Sequence, residues 1–139
     1  MNLEGLPTVY FAFPGPLRDR IVTDILSGAK TTTSGLVLWF EREKAPLPEA
    51  GTQSVVVDSG DRPVAVIELT EVRVVRLADV DPRHARDERA GGQTVAQWRT
   101  EHEEFWHSPS MREALGDPDF TVADDTLVLA QRFRVVHTL

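Results

Sequence analysis

The pattern of hydrophobic and polar positions predicts a small set of helices and strands. Apolar residues recur every three to four positions after the Pro-Gly-Pro turn at 14–16, which predicts a helix over Leu17–Ser27 that Gly28 ends. A second periodic stretch predicts a helix over Thr94–His107 whose first residue is the N-cap. Runs rich in Val and Ile predict strands over 54–58, 63–77 and 126–136.

Two segments between these elements have weaker patterns. Residues 30–34 are poor helix formers and are expected to form a loop or an extended segment. Leu36–Phe40 is too short to distinguish a strand from a short helix. Several strands with two or three helices in irregular alternation predict an α+β fold, namely a small mixed barrel with flanking helices over its ends.

Length and composition narrow this picture. The chain has 139 residues, which predicts one domain over 1–139, and its net charge of -7 disfavours broad electrostatic binding to nucleic acid. Its lack of cysteine excludes disulfides and thiol nucleophiles and fits a reducing, cytoplasmic location. The N-terminal residues do not resemble a signal peptide, and no apolar run is long enough to cross a membrane.

Glu68 is unusual because it lies within the apolar run of residues 64–69. Side chains alternate along a strand, so neither face of this segment is plainly polar. A carboxylate in such a place needs a cation or hydrogen bonds, unless it points to water from an edge strand. The sequence alone does not distinguish a paired Glu68 from one that points to water.

Lys30 and the hydroxyl residues after it are the candidate partners of Glu68. Lys30 follows the end of a predicted helix, where the helix dipole already favours a cation without any further role. Thr31, Thr32, Thr33 and Ser34 supply four hydroxyl groups, each of which needs activation to act as a nucleophile.

The late helix carries Trp98, Arg99 and His102 close together, with Trp106 one turn further on. Aromatic and guanidinium planes stack on nucleobases, so the group is a candidate base-binding surface. Aromatic residues at helical spacing are more often part of the core. The four histidines form no metal-binding pair and no nucleotide-cofactor motif is present, so neither a metal nor a cofactor is expected.

Read together, these segments resemble the ASCH domain family of the PUA-like β-barrel superfamily. The similarity covers residues 13–20, 26–34, 63–72 and 130–136, together with the Trp98-Arg99 helix. The family's Gly-x-Lys-x-x-Thr signature matches Gly28, Lys30 and Thr33, and its strand glutamate matches Glu68. The resemblance therefore implies a PUA-like barrel with flanking helices.

The resemblance also implies a function directed at nucleosides or RNA. In members with acetylcytidine amidohydrolase activity, the matching lysine, threonine and glutamate are the proposed catalytic set, which implies Lys30, Thr33 and Glu68 here. Other members are described as RNA-binding or ribonucleolytic. One departure concerns a Glu-Gly-Glu-Gly stretch of longer relatives, which reads Glu88-Arg89-Ala90-Gly91 in this chain and puts substrate specificity in question.

Two catalytic assignments follow for a hydrolase. In the first, Lys30 is the base for Thr33, although a nearby carboxylate and a helix C-terminus favour a charged lysine. In the second, Glu68 is the base and Lys30 stabilises the oxyanion. A Lys30→Arg variant separates the two, because arginine stabilises an anion but cannot act as a base.

The alternative to an amidohydrolase is a module that binds RNA or a nucleotide, of which a ribonuclease is one variant. Its basic pocket would be formed by Lys30, Arg18 and Arg99 with an aromatic side chain nearby, and the further substrate-binding candidates are Thr31, Trp98 and His102. The expected partners are a nucleoside, a nucleotide or a short single-stranded RNA. The sequence makes no prediction of oligomeric state.

Overall fold

The computed structural model describes residues 2–139. Strands alternate irregularly with helices along the chain, as the sequence predicts. The helices are α1 (Pro16–Ser27), α2 (Val37–Arg42), α3 (Pro82–Asp87), α4 (Val95–Trp106) and α5 (Pro109–Leu115). The strands are β1 (Thr8–Val9), β2 (Thr32–Leu36), β3 (Gln53–Val57), β4 (Pro63–Arg76) and β5 (Leu127–Thr138).

The strands form one five-stranded sheet in the order β1-β3-β4-β5-β2. The long strands β4 and β5 pair antiparallel through its centre, and β1 and β2 form its two edges. The α+β class is therefore confirmed, whereas the expected barrel is wrong, since the sheet is not closed. Closure requires a continuous ladder between the two edge strands, and β1 contributes only two residues, both paired to β3.

Two hydrophobic clusters hold the helices to the sheet. The first packs α1 on the sheet through Val22 and Ile25, with Ile67 and Phe133 from β4 and β5. The second packs the later helices and includes Trp98, Trp106 and Leu115, with Val128 from β5. The second cluster lies beside the polar side chains described below.

Helix α1 follows the predicted bounds. Pro16 occupies its first position, where a missing N–H does no harm, and Gly28 ends the helix in a left-handed conformation with φ of 82°. The amide of Gly28 donates to the carbonyl of Ile25, and the amide of Lys30 donates to that of Asp24. This turn directs the chain from α1 into β2.

The remaining predictions are confirmed with small shifts of their ends. The expected capping residue Thr94 begins α4, where its side chain accepts from the amide of Gln97 while the Gln97 side chain accepts from the amide of Thr94. The undecided segment after Gly35 forms the last residue of β2 followed by α2. Residues 32–34, expected as loop or extended, lie in β2.

Helices α3 and α5 are additional to the sequence predictions. Each begins with a proline, at Pro82 and Pro109, after a capping residue. The side chain of Asp81 accepts from the amide of His84 at 2.8 Å and so caps α3. Elements of six or seven residues contain too few turns for a helical periodicity to be visible. No helix in the described part of the chain has the length and apolarity that a bilayer span requires.

Candidate active site

Side chains alternate between the two faces of the sheet along β2, so only some of its hydroxyl groups face α3. Thr32 is fully buried and donates through Oγ1 to the carbonyl of His84 at 2.9 Å. Two residues further on, Ser34 lies on the same face, with its Oγ 2.7 Å from His84 Nε2. Thr33 lies between them on the strand, so its side chain points to the opposite face of the sheet.

Glu88, directly after α3, is the centre of a buried polar cluster that we call the Glu88 cluster: Lys30, Ser34, His84, Glu88, Trp98 and His102. Its Oε1 accepts from Ser34 Oγ at 2.5 Å and from Trp98 Nε1 at 2.9 Å. Its Oε2 lies 2.8 Å from His102 Nε2. The side chain is only 8% exposed, so nearly all its interactions are with protein groups.

Lys30 approaches Glu88 from the turn before β2. Its Nζ donates to the backbone carbonyl of Glu88 at 3.0 Å and lies 3.6 Å from Oε2. The second distance is that of an ion pair and is too long for a hydrogen bond. Burial lowers the pKa of Lys30 from its usual value, and the charges of Glu88 and Asp24 only partly offset this effect.

The charges of the cluster shift the pKa values of Glu88 and His102 in opposite directions. Burial alone would raise the pKa of Glu88, but the positive charges of His102 and Lys30 outweigh it and hold that pKa well below its usual range. Burial would lower the pKa of His102, whereas the charge of Glu88 and the hydrogen bonds to Glu88 and Trp98 raise it. Both pKa shifts favour the ionised forms, a carboxylate beside a histidinium.

Aromatic rings enclose this pair. The His102 ring stacks on that of Trp98 with centroids 4.3 Å apart and an angle of 24°. The Trp106 ring meets His102 edge-on at 5.2 Å. Trp98 and His102 are four residues apart on α4 and share one face of that helix. Both rings pack against the His102 side chain, which is 15% exposed.

The protons on Ser34 and His84 follow from the ionised state of Glu88. A carboxylate only accepts, so the single hydroxyl proton of Ser34 points to Glu88 Oε1. The Ser34 oxygen is then the acceptor for His84, whose Nε2 must carry a proton. The hydroxyl group of Ser34 thus contacts both a proton acceptor, Glu88 Oε1, and a proton donor, His84 Nε2, which lie 3.4 Å from each other.

A cleft of about 250 Å³ adjoins the cluster. His84 belongs to both, because it lines the cleft and contacts Ser34. Arg132 also lines the cleft and is held by Asp87 at 2.9 Å, with Thr31 3.4 Å from its other terminal nitrogen. The charged side chains and the histidine along the cleft are Glu71, Arg73, Asp81, Arg83, His84 and Arg132.

The structure brings together only some of the predicted site residues. Lys30, Trp98 and His102 meet in the Glu88 cluster, and Thr31 lies near the cleft at Arg132. The expected pairing of Lys30 with Glu68 is wrong. Glu68 instead binds Arg134, its cross-strand neighbour on β5, at 2.6 Å, because the β4–β5 register places the two side by side.

The two other predicted cations lie apart from the cluster. Arg18 is buried and donates to the carbonyls of Phe11 and Ala12, so it ties α1 to the preceding segment. Arg99 forms ion pairs with Glu103 and Asp124. The expected basic pocket of Lys30, Arg18 and Arg99 therefore does not form.

Comparison with known proteins places the chain in a family. Residues 9–137 match the model of the ASCH domain. The chain belongs to the ASCH domain family. Among curated proteins, none matches it.

Two solved structures share the fold of this ASCH domain. A protein from Enterococcus faecalis V583 is 26% identical, with a TM-score of 0.80 over 95% of this chain and 77% of that one. An ASCH domain from Lactobacillus crispatus JV V101 is 24% identical, with a TM-score of 0.79 over 95% of this chain and 80% of that one. The open mixed sheet with its helices is thus similar to ASCH structures.

Sequence reasoning missed three residues of this ASCH domain's cluster as site candidates: Ser34, His84 and Glu88. Ser34 appeared only as one of four adjacent hydroxyl groups, and His84 as one of four histidines. Glu88 appeared in a stretch that departs from relatives. The sequence did contain a partial indication for Glu88. Two glycines follow it at 91–92, which predicts a turn, and functional groups are often carried by such connecting segments. Nothing local indicated that Glu88 is buried.

The cluster has few of the properties of a metal centre. Among residues 2–139, no three His, Asp or Glu side chains are grouped so that they could hold a metal ion. Glu88 lies between two histidines, but its oxygens are already occupied by hydrogen-bond donors. The side chains of the Glu88 cluster can transfer protons and stabilise charge.

Proposed function

We propose that this ASCH domain is a nucleoside-directed hydrolase that removes an N-acyl group from a modified cytidine, with the Glu88 cluster as its active centre. The observation that carries the proposal is the position of Ser34 Oγ, 2.5 Å from a carboxylate and 2.7 Å from a histidine that also lines the cleft. A hydroxyl group between a proton acceptor and a proton donor has the components of acyl transfer. The resemblance described above supports the substrate class.

The proposed reaction begins with attack of Ser34 Oγ on the acyl carbonyl carbon. The hydroxyl proton passes to Glu88 Oε1, to which it is already hydrogen-bonded. Glu88 passes this proton to the leaving amine nitrogen as the carbon–nitrogen bond breaks, while His84 Nε2 keeps its proton and continues to donate to Ser34 Oγ. Glu88 then takes a proton from an attacking water molecule and returns it to Ser34 Oγ as the acyl-serine ester is cleaved and the acid is released. The sum is amide plus water to carboxylic acid plus amine.

Lys30 acts as a cation in this scheme. It donates to the Glu88 carbonyl and lies within ion-pair distance of the carboxylate, and in the proposal its ammonium group adds positive charge beside the centre where negative charge develops. The roles are those of the second catalytic assignment above, in which a glutamate is the base and Lys30 stabilises the oxyanion. Here Glu88 takes the place of Glu68, and Ser34 takes the place of Thr33. The roles that the resemblance implies for Thr33 and Glu68 stay predictions to be tested beside it.

The cleft supports a small substrate. Its volume of about 250 Å³ lies just below the range of about 300–1,000 Å³ typical of drug-sized ligands, which suits a single nucleoside better than a long polymer. Guanidinium groups of Arg73 and Arg132 line it together with carboxylates of Glu71 and Asp81. Such mixed polar walls suit the donors and acceptors of a base and a sugar.

Ser34→Ala is expected to lower hydrolysis of N4-acetylcytidine by at least about two orders of magnitude, since it removes the nucleophile. Thr100→Ala removes an exposed hydroxyl group from α4 and is expected to leave the rate unchanged. Lys30→Arg is expected to retain part of the activity because a cation is kept. The measurement is release of acetate and cytidine, with the fold of each variant checked by circular dichroism.

Further variants distinguish the serine assignment from the one implied by resemblance. Thr33→Ala and Glu68→Gln are expected to retain activity, because Thr33 faces away from Glu88 and Glu68 is engaged by Arg134. Loss of activity in these two variants with retention in Ser34→Ala would overturn the proposed centre. A wild-type protein that hydrolyses neither acetylated nucleosides nor short RNA would reject the hydrolase.

An RNA- or nucleotide-binding module is the second candidate, and the three arginines along the cleft favour it: Arg73, Arg83 and Arg132. Binding of a short single-stranded RNA to this face is expected to weaken steeply with added salt as counterions are released. Hydrolysis of a neutral nucleoside is expected to change little over the same range. Fluorescence anisotropy and product release, measured between about 50 and 200 mM salt, separate the two functions.

A further inference from the structure

The hydrogen bonds of His102 determine its protonation state. Nδ1 lies 2.8 Å from the backbone carbonyl of Trp98, and Nε2 lies 2.8 Å from Oε2 of Glu88. A carbonyl oxygen and a carboxylate oxygen accept hydrogen bonds and donate none. Both ring nitrogens of His102 must therefore donate, and only the doubly protonated, positively charged imidazolium does so.

We propose that His102 is a positioning residue that stays doubly protonated at neutral pH and holds Glu88 with Oε1 turned toward Ser34. Oε2 is occupied by His102, which leaves Oε1 for Ser34 and Trp98. This inference rests on the proposed function for its catalytic meaning. The charged state and the hold on Glu88 are properties of the protein that can be measured without substrate.

The surroundings of the ring favour its positive charge on balance. Glu88 faces His102 from the end of α3, and Lys30 faces it from the turn before β2 with an opposing effect. Trp98 stacks on the imidazolium from the same helix, a geometry in which an aromatic ring attracts a cation. Trp106 contacts it edge-on and brings no charge. Oε2 of Glu88 lies at hydrogen-bond distance from Nε2 of His102, whereas Nζ of Lys30 lies 3.6 Å from that Oε2 atom.

The proposal has a pH dependence with a definite sign. The pKa of His102 is raised above its usual value near 6.5, so its stabilising contact is fully present below that pH and is lost as the pH rises through the raised pKa. Loss of either ring proton removes the positive charge beside Glu88 and leaves a lone pair facing an oxygen atom, so the hold on Glu88 weakens. Hydrolysis should then decline on the alkaline side with the titration of His102.

The test uses the full chain labelled with 15N and with 13C at the carboxyl groups. In the wild type at pH 7, the 15N shifts of His102 are expected to show two protonated ring nitrogens. In His102→Gln, which removes the charge but keeps a donor, the titration of the Glu88 carboxyl group is expected to move to higher pH. The variant is expected to lose about ten- to a hundredfold in rate, as outer residues that orient a reacting group commonly do. Its alkaline decline should disappear.

His137→Gln is the matched control, since His137 is exposed on β5 and remote in sequence from the cluster. It is expected to leave the Glu88 titration unchanged. A neutral His102 at pH 7 in the wild type overturns the proposal even if His102→Gln does not fold. An unmoved Glu88 titration in a folded His102→Gln variant also overturns it. If the NMR results hold but no acylated nucleoside is hydrolysed, the proposed function fails and the hold of His102 on Glu88 stands.

Discussion

Glu88→Ala is expected to lower the free energy of unfolding by about 3–5 kcal/mol, the range observed when one partner of a buried ion pair is removed. The substitution leaves Lys30 and His102 buried without their counter-ion and removes an acceptor from Ser34 and Trp98. Against a total stability of about 5–15 kcal/mol, this loss is large. Urea denaturation at pH 7 measures it, and hydrolysis should be abolished in the same variant.

Two further variants control for this effect. Glu101→Ala removes an exposed partner of Arg89 and is expected to cost less than about 1 kcal/mol, as surface pairs do. Glu88→Gln keeps the shape of the side chain without its charge, so we expect an intermediate loss of stability and a lower His102 pKa. Equal stability of Glu88→Ala and wild type would show that the two cations are relieved of their charge or hydrated at little cost.

Trp98→Ala is expected to destabilise the protein by about 3–5 kcal/mol, the usual range for deletion of a large buried aromatic side chain. Trp98 is completely buried and contacts His102 and Trp106. Its indole also donates to Glu88 Oε1 at 2.9 Å. The variant therefore leaves a cavity in the second hydrophobic cluster and removes one wall of the Glu88–His102 pair. Denaturation midpoints report the first effect, and the His102 titration reports the second.

The Trp98→Phe variant separates packing from hydrogen bonding. Phenylalanine keeps a stacking ring for His102 but cannot donate to Glu88, so a smaller loss of stability is expected, with a weaker hold on Oε1. Phe13→Ala truncates an aromatic residue that is 41% exposed and is expected to have a lesser effect. A Trp98→Ala loss no larger than that of Phe13→Ala would contradict the proposed role of Trp98 in core and cluster.

The Glu88 cluster buries charged groups, which is energetically unfavourable in itself, at the place where the proposed chemistry occurs. Removing a carboxylate, an ammonium group and an imidazolium from water is unfavourable unless their hydrogen bonds and charges are matched. Here both carboxylate oxygens are engaged, and the pKa values of Lys30, Glu88 and His102 all depart from their usual values. Strongly perturbed titratable groups beside a cleft are a physical sign of a functional site.

Much of the secondary structure is determined locally and was therefore predictable. Helix α1 combines an apolar stripe with a starting proline and a final glycine, and α4 has a capping box. Strand β4 is rich in the β-branched residues Val, Ile and Thr, which favour strands over helices. The short helices α3 and α5 were not predicted, although α3 carries His84 and leads into Glu88.

The sequence by itself determined that a lysine follows a helix-ending glycine and that four hydroxyl residues come next. It also determined that Trp98 and His102 share one face of a helix. Only the tertiary structure decided that Lys30 meets Glu88, 58 positions away, and not Glu68. The physical reason is that this contact depends on how α3 packs against β2, whereas Glu68 is paired with Arg134 by the β4–β5 register. Local periodicity carries no information on either long-range arrangement.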